Sequence, residues 1–137
     1  IFANTYNGQG YDLVLLGQVD GTTINLDDME ARLQRPEYAT LKQSLADIGM
    51  NSAVDLFATY GGSASDMQGW LKDAQINRDR NLRLQYLAGR GLNLYRAGEI
   101  FAEMLPFAQD PQGIFSGSDQ TLASLMQKIR IGQGRDR

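Results

Sequence analysis

Two rhythms of apolar and polar positions divide the chain. The first 24 residues read as sheet. Ile1, Phe2, Thr5 and Tyr6 favour strand, Asn7-Gly8-Gln9-Gly10 supplies turn chemistry, and Tyr11-Asp12-Leu13-Val14-Leu15-Leu16 is a second short run ended by Gly17. Four residues between the two runs predict a hairpin. Leu13, Val14, Leu15 and Leu16 do not alternate with polar residues, so this strand is expected to be covered on both faces. A third extended stretch, Thr22-Thr23-Ile24, follows the Asp20-Gly21 turn. The sheet then has two or three strands and needs helices over it to be stable.

From Asn25 the spacing becomes helical. Asn25 or Asp27 caps a first helix with Leu26, Met29 and Leu33 on its apolar side. Pro36 suits the first turn of a second, on which Tyr38, Leu41, Leu45 and Ile48 form a stripe before Gly49. Ser52, with Asp55 three positions on, caps a third carrying Val54, Leu56, Phe57 and Tyr60, and Gly61-Gly62 ends it. Ser65 or Asp66 starts a fourth with Met67, Trp70 and Leu71.

Residues 75–91 change character. A polar, turn-like half precedes Leu82, Leu84 and Tyr86, which alternate with Arg83 and Gln85 as in an extended run; a helix starting near Asn81 fits the same apolar spacing. Two further helices are predicted over 92–105 and 118–131, the last with Leu122, Leu125, Met126 and Ile129 on its apolar side. The expected fold is α+β and mostly helical. A hairpin or sheet edge over 1–24 packs against five or six helices, with a helical block at 25–74, an extended motif at 75–91 and C-terminal helices at 92–131, all in one domain or domain fragment.

Composition narrows the chemistry. At 137 residues, 42% hydrophobic and 21% charged, the chain has the makings of one globular core, with an accessible surface of roughly 7,000 Å² when compact. It has no histidine and no cysteine, which removes imidazole bases, thiolate nucleophiles, disulfides and the usual zinc and iron–sulfur ligand sets. No metal site or cofactor site is expected within the chain itself. A net charge of -3 gives no electrostatic case for nucleic acid or an anionic membrane, and no apolar run reaches the roughly 20 residues of a spanning helix. Neither a nucleic-acid partner nor membrane contact by this segment is expected. The start at Ile1, without methionine or leader, fits a processed chain and favours a piece of a longer one.

Arg78, Arg80, Arg83, Arg90 and Arg96, with Asp79 alone among them, form the one local concentration of charge. Guanidiniums so spaced suit a phosphate or carboxylate; the simpler reading is a solvated face or arginines paired with aspartates elsewhere. Asn77 and Asp79 are polar groups in a loop before an extended run, placed to reach a cleft. The substrate or anion-binding candidates are therefore Asn77, Arg78, Asp79, Arg80 and Arg83, with no catalytic residue assigned. Asp27, Asp28 and Glu30 stand at a helix start, where capping explains them better than a cation site. Trp70, Tyr60 and Phe57 have helical spacing, which favours core over a ligand groove.

Tyr11-Asp12-Leu13-Val14-Leu15-Leu16-Gly17, with the later Ile76-Asn77-Arg78-Asp79-Arg80-Asn81-Leu82-Arg83-Leu84-Gln85-Tyr86-Leu87-Ala88-Gly89, resembles the C-terminal part of bacterial spermidine synthase-like proteins, including large ones fused to a membrane region. In that family a late strand closes a Rossmann-like sheet, and a motif like Leu-Asn-Thr-Asp-Asp precedes an extended Glu-Tyr pair. Asn77 and Asp79 stand at the motif's Asn and first Asp. Arg78 and Arg80 replace its threonine and second Asp, and Gln85-Tyr86 stands for Glu-Tyr. Helices around Pro36-Glu37-Tyr38 and over 53–60 look like an insertion in the fused proteins.

The resemblance covers roughly residues 1–91. It implies an S-adenosylmethionine-type cofactor in the parent protein, held by residues upstream of any segment like this one. It also implies a cytoplasmic placement, free or as the cytoplasmic domain of a membrane protein. The arginines in place of an aspartate argue against a polyamine bound here, since cationic amines need carboxylates. Three functions follow: an inactive structural or cap portion of a spermidine synthase-like protein, packed on the rest of its parent chain; a small helical protein–protein interaction module, self-associating through an apolar helix face such as Leu122, Leu125, Met126 and Ile129; or an independent enzyme with an acidic and Arg-lined pocket.

Overall fold

The computed structural model describes residues 1–6, 9–80, 82, 94 and 96–135. Among these are five α-helices and two small sheets, the mostly helical fold with an N-terminal hairpin that the apolar pattern predicts. Strand β1 (Phe2–Tyr6) pairs antiparallel with β2 (Gln9–Val14), Phe2 opposite Val14 and Ala3 opposite Leu13. The other edge of β1 meets residues 59–62. Ala3 N–H donates to the Thr59 carbonyl at 2.7 Å, Gly61 N–H donates to the Ile1 carbonyl at 2.9 Å, and Phe2 and Tyr60 form an antiparallel bridge.

Because side chains alternate along a strand, β1 divides two cores. Ile1 and Ala3 join Met67, Phe101, Met104 and Ala108, with Trp70 packed alongside. Phe2 packs instead on Leu26, Tyr60, Phe115, Leu125 and Ile129. On that side four rings make a closed set. Phe2 meets Phe57 and Tyr60 at 6.1 Å each, and Phe115 meets Phe57 at 5.5 Å and Tyr60 at 5.9 Å, mostly edge to face.

Helix α1 (Leu26–Leu33) starts at Asn25, whose side-chain oxygen accepts from the Asp27 and Asp28 N–H groups at 3.0 and 3.1 Å. Of the two cap candidates, Asn25 serves. Pro36 opens a 3-10 turn (Pro36–Tyr38) that leads into α2 (Ala39–Asp47). Helix α3 (Ala53–Phe57) is capped by Ser52, whose hydroxyl accepts from Asp55 N–H at 3.1 Å and donates to the Asp55 carboxylate at 2.8 Å, while Asn51 N–H donates to the same carboxylate at 3.0 Å. Helix α4 (Ala97–Met104) packs against β2 and passes into a 3-10 turn at Leu105–Phe107. Helix α5 (Asp119–Gly132) is capped by Ser118.

Several expectations are corrected. Residues 13–16 are exposed rather than covered on both faces: Leu15 is 74% and Leu16 68% accessible, because β2 ends at Val14 and none of the described residues forms a layer over the run that follows. Ile24 does not extend the hairpin. As β3 (Ile24–Asn25) it pairs in parallel with β4 (Phe115–Ser116), beside the start of α5. The fourth helix reduces to one 3-10 turn (Asp66–Gln68), and Ser63, not Ser65, exchanges hydrogen bonds with Asp66. The stripe on α2 reaches no core: α2 has no buried residue, and Leu41 and Ile48 are exposed. The apolar stripe of α5 is the reverse case. Leu125 and Ile129 are fully buried, and Leu122 and Met126 pack against the same core, so this face is not free for self-association.

Candidate functional site

The carboxylates near residue 27 act as ties between elements. Asp27 accepts from Ser118 N–H at 2.6 Å and from the Thr121 hydroxyl at 2.7 Å, joining the starts of α1 and α5. The Thr121 hydroxyl first, and the Ser118 amide second, hold the Asp27 carboxyl below the usual carboxylate range. Glu30 accepts from Ala53 N–H at 2.7 Å, capping α3 from α1. Among the described residues no group of three acidic ligands could hold a metal ion.

Asn77, Arg78, Asp79 and Arg80 lie in residues 71–80, every one of which is exposed. Arg83 and Arg90 lie outside the described residues. Arg96 pairs locally with Glu99 at 2.9 Å at the start of α4. Trp70 packs on one core while Phe57 and Tyr60 belong to the other, so these three rings do not share a groove.

A polar recess of about 510 Å³ forms around Tyr60, Ser63, Asp66, Gln109, Asp110 and Gln112. Burial, reinforced by the Asp66 charge and opposed by a hydrogen bond with Ser63, pushes the Tyr60 phenol up to about 12. At neutral pH it stays protonated and is no base or nucleophile. Asp66 accepts from Ser63 N–H at 2.8 Å and from Gln109 N–H at 3.5 Å. Asp110 accepts from Arg130 at 2.6 Å and Arg135 at 3.3 Å, and the Arg130 hydrogen bond leads in holding its carboxyl low. Asp66 braces one loop against another, and Asp110 ties its loop to α5 through Arg130.

The apolar counterpart lies on the Phe2 side of the hairpin. Cross-strand partners share a face, so Val14 sits with Phe2, and Leu16, two residues on, continues that side. A groove of about 360 Å³ opens there between Val14, Leu16, Leu45, Ile48, Met50 and Leu56. Its lining carries no charged side chain. Val14 is 51% accessible, and Leu16 and Ile48 are each 68% accessible. Leu16 also borders a second recess of about 390 Å³ beside Gln18, Thr22 and Tyr60. The sequence carried half of this signal, the unbroken apolar run of 13–16. The other half, the end of α2 folding back beside it, depends on tertiary packing.

No helix among the described residues is long and apolar enough to cross a membrane. No protein-family model, curated protein or solved structure matches the chain.

Proposed function

We propose that this chain is a small helical protein–protein interaction module whose docking surface is the exposed run of residues 13–16 with the adjoining apolar groove. The observation that carries this reading is the uncharged groove lining beside Leu15 and Leu16, both more than two-thirds exposed. Exposed apolar area of this kind marks interaction sites. Its simplest occupant is the same surface of a second copy, since a patch without charges meets itself across a two-fold axis with no like-charge conflict. Sedimentation equilibrium tests it: the wild-type chain associates as concentration rises, and Leu15→Asp with Leu16→Asp leaves a folded monomer. A wild-type chain that stays monomeric throughout ends the self-docking reading.

A second reading has an observation of its own. Residues 13–16 belong to Tyr11-Asp12-Leu13-Val14-Leu15-Leu16-Gly17, one of the two stretches that resemble spermidine synthase-like proteins. In a cap of such a protein the same run would be covered by the rest of the parent chain. This reading expects a folded chain that takes up neither S-adenosylmethionine, its decarboxylated form nor spermidine in calorimetric titration. Saturable binding of any of them counts against a cap without a site.

A further inference from the structure

We infer that residues 71–80 form a cleavage site for endopeptidases of trypsin-like specificity, and that the cut chain remains folded as two pieces held together without a covalent link. This goes beyond the docking proposal and stands whether or not that proposal holds. All ten residues are exposed, residues 74–78 adopt neither helix, strand nor turn, and the stretch offers Lys72, Arg78 and Arg80. Exposed irregular segments of this kind are where proteases cut. Just beyond, Leu82 sits at a φ of 43°, a left-handed conformation that is strained for any residue with a side chain. Its N–H donates to the Arg78 carbonyl at 3.1 Å, so the strain lies in a turn that cleavage opens. Hydrolysis adds water across the peptide bond after Arg78 or Arg80, leaving a carboxylate on the arginine and an amine on the residue that follows.

Among the described residues, Arg32, Lys42, Lys128 and Arg130 lie within α1, α2 and α5, and Arg35 precedes Pro36, a bond such enzymes leave intact. Arg96 is paired with Glu99 at the start of α4, and Arg135 donates to the Ala108 carbonyl and to Asp110.

Both cores are built from the two sides of the cut. Ala3 and Met67 pack on Phe101, Met104 and Ala108, while Leu26 and Tyr60 pack on Phe115, Leu125 and Ile129. Backbone and side-chain bonds also cross it: Ile24 N–H to the Ile114 carbonyl at 2.8 Å, Ser118 N–H to Asp27 at 2.6 Å, and Gln133 Nε2 to the Tyr60 carbonyl at 2.9 Å. Each core therefore draws buried residues from both pieces.

Limited digestion with trypsin under native conditions, read by intact mass and then by size exclusion, tests both halves. The expected first cut falls after Lys72, Arg78 or Arg80, and the two fragments elute together at the position of the uncut chain. Replacing all three (Lys72→Gln, Arg78→Gln, Arg80→Gln) slows loss of the intact chain about tenfold while thermal melting is unchanged. A first internal cut elsewhere, or a triple variant digested as fast as wild type, overturns the cleavage site. Fragments that separate on the column overturn the two-piece claim.

Discussion

Individual residues in this fold are fixed by close approaches, and Gly62 is the tightest glycine position among the described residues. Its φ of 131° is a conformation that side chains rarely adopt, and a Cβ there would come within 2.5 Å of Met67 Cε and 3.5 Å of Ala108 Cβ. Gly62→Ala should therefore lower unfolding free energy by about 1–3 kcal/mol in urea titration, through backbone strain and displacement of Met67. The sequence marked Gly61-Gly62 as the end of the third helix, but α3 already stops at Phe57, residues 59–62 run along β1, and Met67 closing over Gly62 was not legible. Asp27 is a similar case. Its place at a helix start suggested capping, yet Asn25 caps α1 and the Asp27 carboxylate bonds instead to Ser118 and Thr121, over ninety residues away, which depends on α5 arriving beside α1.

The charge on Asp27 has a direction in pH. Its folded carboxyl titrates below the ordinary value, so it binds a proton less readily in the folded chain than in the unfolded one. The stabilisation is present above the unfolded value, near 3.9, and is lost as pH falls through the folded value. Asp110 shifts the same way, led by its hydrogen bond from Arg130. Burial works to raise the Asp55 carboxyl, yet hydrogen bonds from Lys128, Ser52 and Asn51 and the Lys128 charge outweigh it, so Asp55 is lowered too. The urea midpoint should fall between pH 7 and pH 3, and Asp27→Asn should flatten part of that fall. A midpoint independent of pH over this range would contradict the ties assigned to these carboxylates.

At the scale of elements, caps were the most legible feature, because they are local. Ser52 was identified as a cap from a hydroxyl residue followed by an apolar rhythm, and Ser118 as the first residue of a predicted helix; both accept a backbone N–H three residues on, at 3.1 and 3.3 Å. Ser118→Ala should cost about 1 kcal/mol in thermal or urea unfolding, the usual worth of such a cap. A loss well under half that would mean that Asp27 and Asp119 hold the start of α5 without the hydroxyl. Faces were less legible than ends. The stripes of α2 and α5 look alike in sequence, yet α5 buries Leu125 and Ile129 while α2 buries nothing. Periodicity states which side of a helix is apolar, and only the neighbours decide whether that side is covered. The run of 13–16 failed for the same reason, since an apolar strand shows a capacity for burial and not the presence of a partner.

For the whole molecule the decisive feature is that one strand serves two cores. Residues 12–23 and 71–80 are exposed throughout. A fold with two such open stretches could melt in parts. Against that, Phe2 and Ala3 are neighbours on β1 and belong to opposite cores, so neither core can lose β1 without the other losing its wall. The two should unfold as one unit. Trp70, the single tryptophan, packs on the Ala3 side, whereas α1 and α5 pack on the Phe2 side and supply much of the helical signal. Urea unfolding followed by Trp70 fluorescence and by far-ultraviolet dichroism should give coincident transitions. Met104→Ala and Leu125→Ala remove fully buried side chains from opposite cores, and each should cost about 2–5 kcal/mol. Each should also move both signals together. If Leu125→Ala shifts the dichroism and leaves the Trp70 transition in place, β1 does not couple the cores, and the fold is two small units joined by a strand.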